Sequence, residues 1–258
     1  MEVVILPSPE AVGAHGARLV ANLLARKPDA VLALPTGATP RPLYAELVRL
    51  HREEGLSFAR AATFNLDEYV GLPPDHPASF RRYMEEALFR HVDLRPERTH
   101  VPDGAAADVA AACTAYEAAI AAAGGLDLVL LGLGGDGHIA FNEPTSSLAS
   151  RTRIKTLSAA SRAANQLAFG SEPVPGHVVT MGIATILEAR RCLLLACGAR
   201  KAPALAAMVE GPVTSMVPAS ALQLHASVTV VCDEAAAASL ALRDYYREVQ
   251  AKKPGWQR

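Results

Sequence analysis

Asp136, His138 and Glu143 fall close together in DLVLLGLGGDGHIAFNEPTSS, residues 127–147. A carboxylate two residues before an imidazole and another five residues after it can hold the ring in one tautomer and stabilise its protonated form, provided the loop folds back on itself. That is equipment for general acid/base chemistry. An acidic pair, Asp67 and Glu68, stands beside Asn65 in FNLDEYVGLP. Such a pair suits a helix cap or turn as readily as catalysis. Thr36, Gly37, Ala38 and Thr39 lie between a buried apolar run and a helix start, where free N–H groups and a helix dipole make an anion site. Lys201, in the first turn of another helix, offers a point charge.

Two rival chemistries share the central loop. Gly132, Gly134 and Gly137 satisfy GxGxxG, but a dinucleotide site also needs a helix after the last glycine and an acidic residue about 20 positions on. Pro144 interrupts the following segment, and residues 151–155 are basic. Asp136, His138 and Glu143 would also suit a metal. No HExxH or paired CxxC accompanies them, so the reading assigns no metal and no cofactor.

The elements that must position these residues alternate regularly. Apolar runs at 1–6, 30–34, 61–66, 127–131, 178–181, 191–197 and 228–232 read as buried strands, with a short basic strand at 153–157. Helical patterns fill 8–26, 43–50, 77–91, 105–123, 198–209 and 233–250, and a polar one runs to Phe169. Ser8 is expected to cap the first helix, and Thr39 with Pro40 the second. The loop at 170–176, rich in Pro and Gly, is a candidate lid. The pattern predicts an α/β fold, a doubly wound, Rossmann-like, mostly parallel sheet with helices on both faces. One domain spans 1–250, and 251–258 form a tail, frayed from Lys252 onward.

The 258 residues carry a net charge of −1 and are half hydrophobic, which favours neither a nucleic-acid surface nor disorder. No apolar run approaches a membrane span, and no basic segment opens the chain as a signal peptide would. Cys113, Cys192, Cys197 and Cys232 lie in apolar or Ala-rich segments and read as reduced, buried thiols of a cytoplasmic protein.

LPTGATP, FNLDEYVGLP, LGLGGDGHIAFNEPTSSLASRTRIKTL and LQLH followed by VCDE occur in an order and spacing that resemble the glucosamine-6-phosphate deaminase (isomerising) family. The resemblance covers essentially the whole chain. It implies an enzyme that hydrolyses the C–N bond of glucosamine 6-phosphate, giving fructose 6-phosphate and ammonia without a metal or organic cofactor. By the same resemblance Asp67 is the base that moves a proton between C2 and C1, and His138 opens the ring, oriented by Asp136 and Glu143. The phosphate lies against Thr36 to Thr39 with Lys201 nearby. Ser146, Arg153, Lys155 and Thr156 match positions that bind an allosteric activator, N-acetylglucosamine 6-phosphate, in some members. A homo-oligomer, with a hexamer as one form, is also implied.

The chain departs from the family pattern at Leu167, where many members have an arginine, and at Ala38, where a second glycine is common. Two competing functions share this type of fold. A 6-phosphogluconolactonase would need no base over C2, and a sugar-phosphate sensor domain would need an attached DNA-binding module.

Overall fold

The computed structural model describes residues 1–254, so residues 255–258 of the expected 251–258 tail lie outside the described residues. Seven strands form one parallel sheet in the order β1 (Glu2–Leu6), β10 (Val228–Asp233), β9 (Cys192–Ala196), β6 (Leu128–Gly132), β2 (Val31–Leu34), β3 (Ala62–Asn65) and β5 (Thr99–His100). A parallel sheet covered on both faces needs apolar side chains on both sides of each strand. In β6, Leu128 and Leu130 enter one core while Val129 and Leu131 enter the other.

The first core packs under α1 (Pro9–Arg26), α2 (Arg41–Glu54) and α3 (Phe80–Ala87) through Val12, Leu43 and Met84. The second packs under α4 (Val109–Ala122), α6 (Ile183–Leu187) and α7 (Ala202–Glu210) through Ile120, Ile186 and Leu205. Ser8 caps α1 as expected, its Oγ accepting from the Ala11 N–H. Gly13 lets α1 and α2 touch, since a Cβ there would stand 2.6 Å from Pro42 Cβ. At the N-terminal end of β6, buried Asp127 accepts from Lys27 Nζ, the Val31 N–H and Arg190. That carboxylate ties strand starts together, at the opposite end of the sheet from the loops that follow β2, β3, β6 and β9.

A second sheet of three antiparallel strands, β4 (Asp67–Tyr69), β8 (His177–Thr180) and β7 (Arg153–Thr156), stands beside the first. The sequence reads 178–181 as a further buried strand, and it is the middle strand of this second sheet, paired with β4 and β7. From β7 the chain enters α5 (Ala159–Phe169), capped by Ser158. Tyr69, Phe80, Phe169, Val174 and Val178 form a separate small core beneath α5.

Several boundaries differ from the sequence reading. Helix α2 starts at Arg41, with Pro40 at its N-cap and no capping bond from Thr39. The helix read at 77–91 is α3 followed by a 3-10 turn, Phe89–His91, and α4 begins only at Val109, capped by Asp108. The terminal helix is broken. A 3-10 turn, Ala236–Ser239, ends at extended Leu240 before α8 (Arg243–Ala251), because Glu210 accepts from the Ala241 and Leu242 N–H groups there. The segment read as frayed from Lys252 is anchored at its start, with Lys253 Nζ 2.6 Å from Glu2. No helix of the described residues is long and apolar enough to cross a membrane.

Candidate active site

The chain runs from β2 outward to β3, but from β6 outward in the other direction to β9. The strand order therefore reverses between β2 and β6, and ligands of open parallel sheets bind in the crevice at the strand ends there. A cleft of about 760 Å³ occupies that crevice. It is lined by Thr36, Gly37, Ala38 and Thr39 after β2, Asp67 after β3, His138 after β6 and Lys201 after β9. Ser161, Ala164 and Asn165 face it from α5. The segment 170–176, expected as a lid, supplies none of the cleft's lining residues, and Val174 and Phe169 anchor it in the small core.

Asp67 is buried and begins β4, where pairing with β8 brings Thr180 opposite it. The Phe141 N–H donates to Thr180 Oγ1, whose hydroxyl donates to Asp67 Oδ1 at 2.5 Å. Burial raises the Asp67 carboxyl to about 7, the Thr180 and Phe141 donors hold it down, and neighbouring Glu68 adds a smaller upward push. A carboxyl poised there can take a proton and give it back near neutral pH. Glu68 has a different task. It accepts from the N–H groups of Tyr69, Phe80 and Arg81, which fixes the start of α3.

His138 Nδ1 lies 2.6 Å from Asp136 Oδ1, close enough for ion pairing but off the line of a good hydrogen bond. Asp136 also accepts from the His138 N–H at 3.2 Å. The contact holds Nδ1 to the loop and leaves Nε2 for the cleft. The ring lies directly over Gly134, where a Cβ would stand 2.3 Å from Nδ1. This glycine serves the imidazole, not a dinucleotide. Gly134→Ala is expected to displace the ring and lower turnover by about 10²-fold in a folded protein, as misplacement of a reacting group does. Turnover at the unmodified rate would contradict this placement.

Glu143 does not orient His138 in this structure. Its carboxylate accepts from the Ser158 N–H and from Ser161 Oγ, so it fastens the loop to the start of α5. Buried Asn142, beside it, donates to the Ile139 and Met181 carbonyls and accepts from Arg153. Arg153 lines a second cleft of about 810 Å³, with Cys113, Glu117 and Ile154, which holds none of the acid/base residues. Of the other residues read as an effector site, Ser146 is buried, Lys155 half-buried and Thr156 exposed.

The loop after β2 has its carbonyls held from behind, Pro35 by the Tyr44 hydroxyl and Gly37 by the Tyr83 hydroxyl. The N–H groups of Gly37, Ala38 and Thr39 find no protein acceptor among the described residues. Lys201 is less basic than an ordinary lysine, through burial first and then the Arg200 cation, against a partial upward pull from Asp136. Leu167 is 95 % exposed and stands outside the cleft.

Sequence reasoning missed Thr180, Arg200 and Asp233. Arg200 lines the cleft beside Lys201. Asp233 is buried and accepts from the Gly198 N–H at 3.0 Å, which fixes the turn that carries both cations. Its place in VCDE was the signal available. Cys197, read as buried, is half-exposed at the cleft wall, and burial pushes its thiol up to about 11, which disfavours the thiolate. Among the described residues no group of three or more His, Cys, Asp or Glu is gathered as for a metal ion.

Residues 9–231 match the family model described as glucosamine-6-phosphate isomerases/6-phosphogluconolactonase. A glucosamine-6-phosphate deaminase of Arthrobacter sp. (strain FB24) is 55% identical over 258 residues, covering 100% of this chain and 99% of its own. One from Mycolicibacterium smegmatis is 52% identical, with the same coverage. Among solved structures, a monomeric glucosamine-6-phosphate deaminase is 45% identical with a TM-score of 0.91, over 93% of this chain and 100% of that one. A 6-phosphogluconolactonase from Trypanosoma cruzi shares the fold at 24% identity and a TM-score of 0.75, over 93% of this chain and 97% of that one. With a family model spanning nearly the whole chain and relatives above half identity along its full length, this protein belongs to the glucosamine-6-phosphate isomerase/6-phosphogluconolactonase family.

Proposed function

We propose that this chain is an isomerising glucosamine-6-phosphate deaminase, acting on its sugar phosphate in the cytoplasm. One observation carries the reading: a buried carboxyl raised to about 7 and an imidazole held by a carboxylate line the same cleft. Converting an aldose to a ketose needs a base over C2 and a second group that opens the pyranose at O5. Ester hydrolysis needs no base over C2, so Asp67 favours the deaminase within this family.

The roles follow from position. The phosphate rests on the Gly37, Ala38 and Thr39 N–H groups, close to Lys201. His138 takes the C1 hydroxyl proton and delivers a proton from Nε2 to the ring oxygen as the C1–O5 bond breaks, leaving the C1 aldehyde. Asp67 then takes the C2 proton and returns it to C1 as the C1 oxygen regains a proton. The resulting C2 imine adds water and breaks its C–N bond, leaving fructose 6-phosphate and ammonia. All of these residues come from one chain. The homo-oligomer implied by the resemblance is a separate proposal, set against a 45% identical structure described as monomeric.

The test is a pair of assays on the purified protein, ammonia release from glucosamine 6-phosphate and hydrolysis of 6-phosphogluconolactone. Ammonia release with little lactone hydrolysis is expected; the reverse would overturn the reading. An effector role for Ser146, Arg153, Lys155 and Thr156 is a further part of the proposal. Arg153 is bonded to Asn142 in the catalytic loop, so an anion that draws Arg153 away acts on that loop. N-acetylglucosamine 6-phosphate is then expected to shift the substrate saturation curve, and an unchanged curve removes the role.

A further inference from the structure

Leu167, on α5, is exposed, lies outside the cleft and offers no charge to a ligand. A phosphate monoester carries about −1.5 to −2 charge at neutral pH and is best held by a planar, bidentate donor. The neutral N–H groups after β2 and one lysine leave that requirement unmet. Neighbouring arginines are otherwise engaged. Arg162 donates to the Leu157 carbonyl at 2.5 Å, Arg81 is taken by Thr99 and Glu85, and Arg41 lies over the Tyr83 ring.

Arg200 is different. It lines the same cleft as Thr36 to Thr39 and Lys201, and among the described residues it makes no hydrogen bond or ion pair. Its backbone is fixed from below, since the buried Asp233 carboxylate holds the Gly198 and Ala236 N–H groups. Arg200 and Lys201 thus put two adjacent positive charges at one wall of the cleft, and among the described residues neither has an ion-pair partner within 4 Å. Two like charges repel there until an anion arrives, so the arrangement gains more from a dianion than from a neutral ligand.

We propose that Arg200 is a phosphate-binding residue of this enzyme, supplying from the turn after β9 the guanidinium that α5 lacks at Leu167. The proposal deepens the function given above and rests on it for the identity of the sugar, but not for the presence of a phosphate site. It assigns the two cations distinct work. Lys201 is a point charge near Asp136 and the catalytic loop, whereas Arg200 forks two phosphate oxygens at the outer wall.

The test compares Arg200→Ala, Arg200→Lys and Lys201→Ala with the unmodified protein, using inorganic phosphate by calorimetry and glucosamine 6-phosphate by kinetics. Arg200 is exposed, so its removal should leave the fold and Tm unchanged. For Arg200→Ala, both the phosphate Kd and the KM are expected to rise by about 10- to 100-fold, with kcat within about threefold. Arg200→Lys should recover only part of the loss, because an ammonium cannot fork. Lys201→Ala should also weaken phosphate, by roughly 30-fold or more. A phosphate Kd and KM within about twofold of the unmodified values in Arg200→Ala would overturn the proposal. If the protein binds phosphate through Arg200 yet releases no ammonia, the phosphate site stands and the deaminase reading alone falls.

Discussion

Asp67→Asn is expected to lower kcat for glucosamine 6-phosphate by about 10² or more, with C2 proton exchange falling in step. Asparagine keeps the shape and the contact with Thr180 but cannot accept the proton. The same change is expected to stabilise the protein. An Asp carboxyl raised from 3.8 to about 7 disfavours the folded state once it ionises, by an upper bound of about 4 kcal/mol at pH 8. The sign follows from the raised value. Protonated Asp67 costs nothing below the unfolded value of 3.8, and the penalty grows as pH rises from there to about 7. Asp67→Asn should therefore raise Tm by several degrees at pH 8, and the gain should shrink on acidification and vanish near pH 4. In the unmodified enzyme kcat/KM should fall on the acid side of about pH 7, as the base becomes protonated. Undiminished proton exchange in folded Asp67→Asn would remove Asp67 from the mechanism.

His138→Gln is expected to lower turnover of the cyclic substrate by about 10²- to 10⁴-fold, the range for one general acid/base group. An analogue fixed in the open chain needs no ring opening, so its turnover should fall far less. Asp136→Asn should reproduce part of the loss, because Asp136 holds Nδ1. Equal losses on cyclic and open substrates would place His138 in the isomerisation or in folding. Glu143 enters differently from the sequence reading. Its bonds to Ser158 and Ser161 couple the loop to α5, and only a change in that contact would free it to approach the ring.

The parallel sheet was legible because strands buried on both faces read as short continuous apolar runs, as at 127–131. The site was legible for a related reason. In such sheets the chemistry gathers at strand ends, and Asp67, His138, Thr36 to Thr39 and Lys201 all lie in the turns and loops that follow apolar runs. What stayed hidden depends on contacts between distant residues. Thr180 lies 113 residues from Asp67, and only the pairing of β4 with β8 brings them together. Glu143 looked like a partner for His138 by proximity in sequence, but Ser158 and Ser161 at the start of α5 take its oxygens. Thr39 looked like a cap because Pro40 follows it, yet Pro40 itself takes that position. Arg200 carried no pattern of its own beside the more familiar lysine.

The most direct test follows the C2 proton of glucosamine 6-phosphate by proton NMR in D2O while ammonia is measured in the same sample. With the unmodified protein, the C2 signal should disappear as ammonia and fructose 6-phosphate accumulate in equal amounts, and Asp67→Asn should leave the signal intact. Ammonia released by Asp67→Asn at close to the unmodified rate, or a substrate returned unchanged by the unmodified protein, would contradict the account.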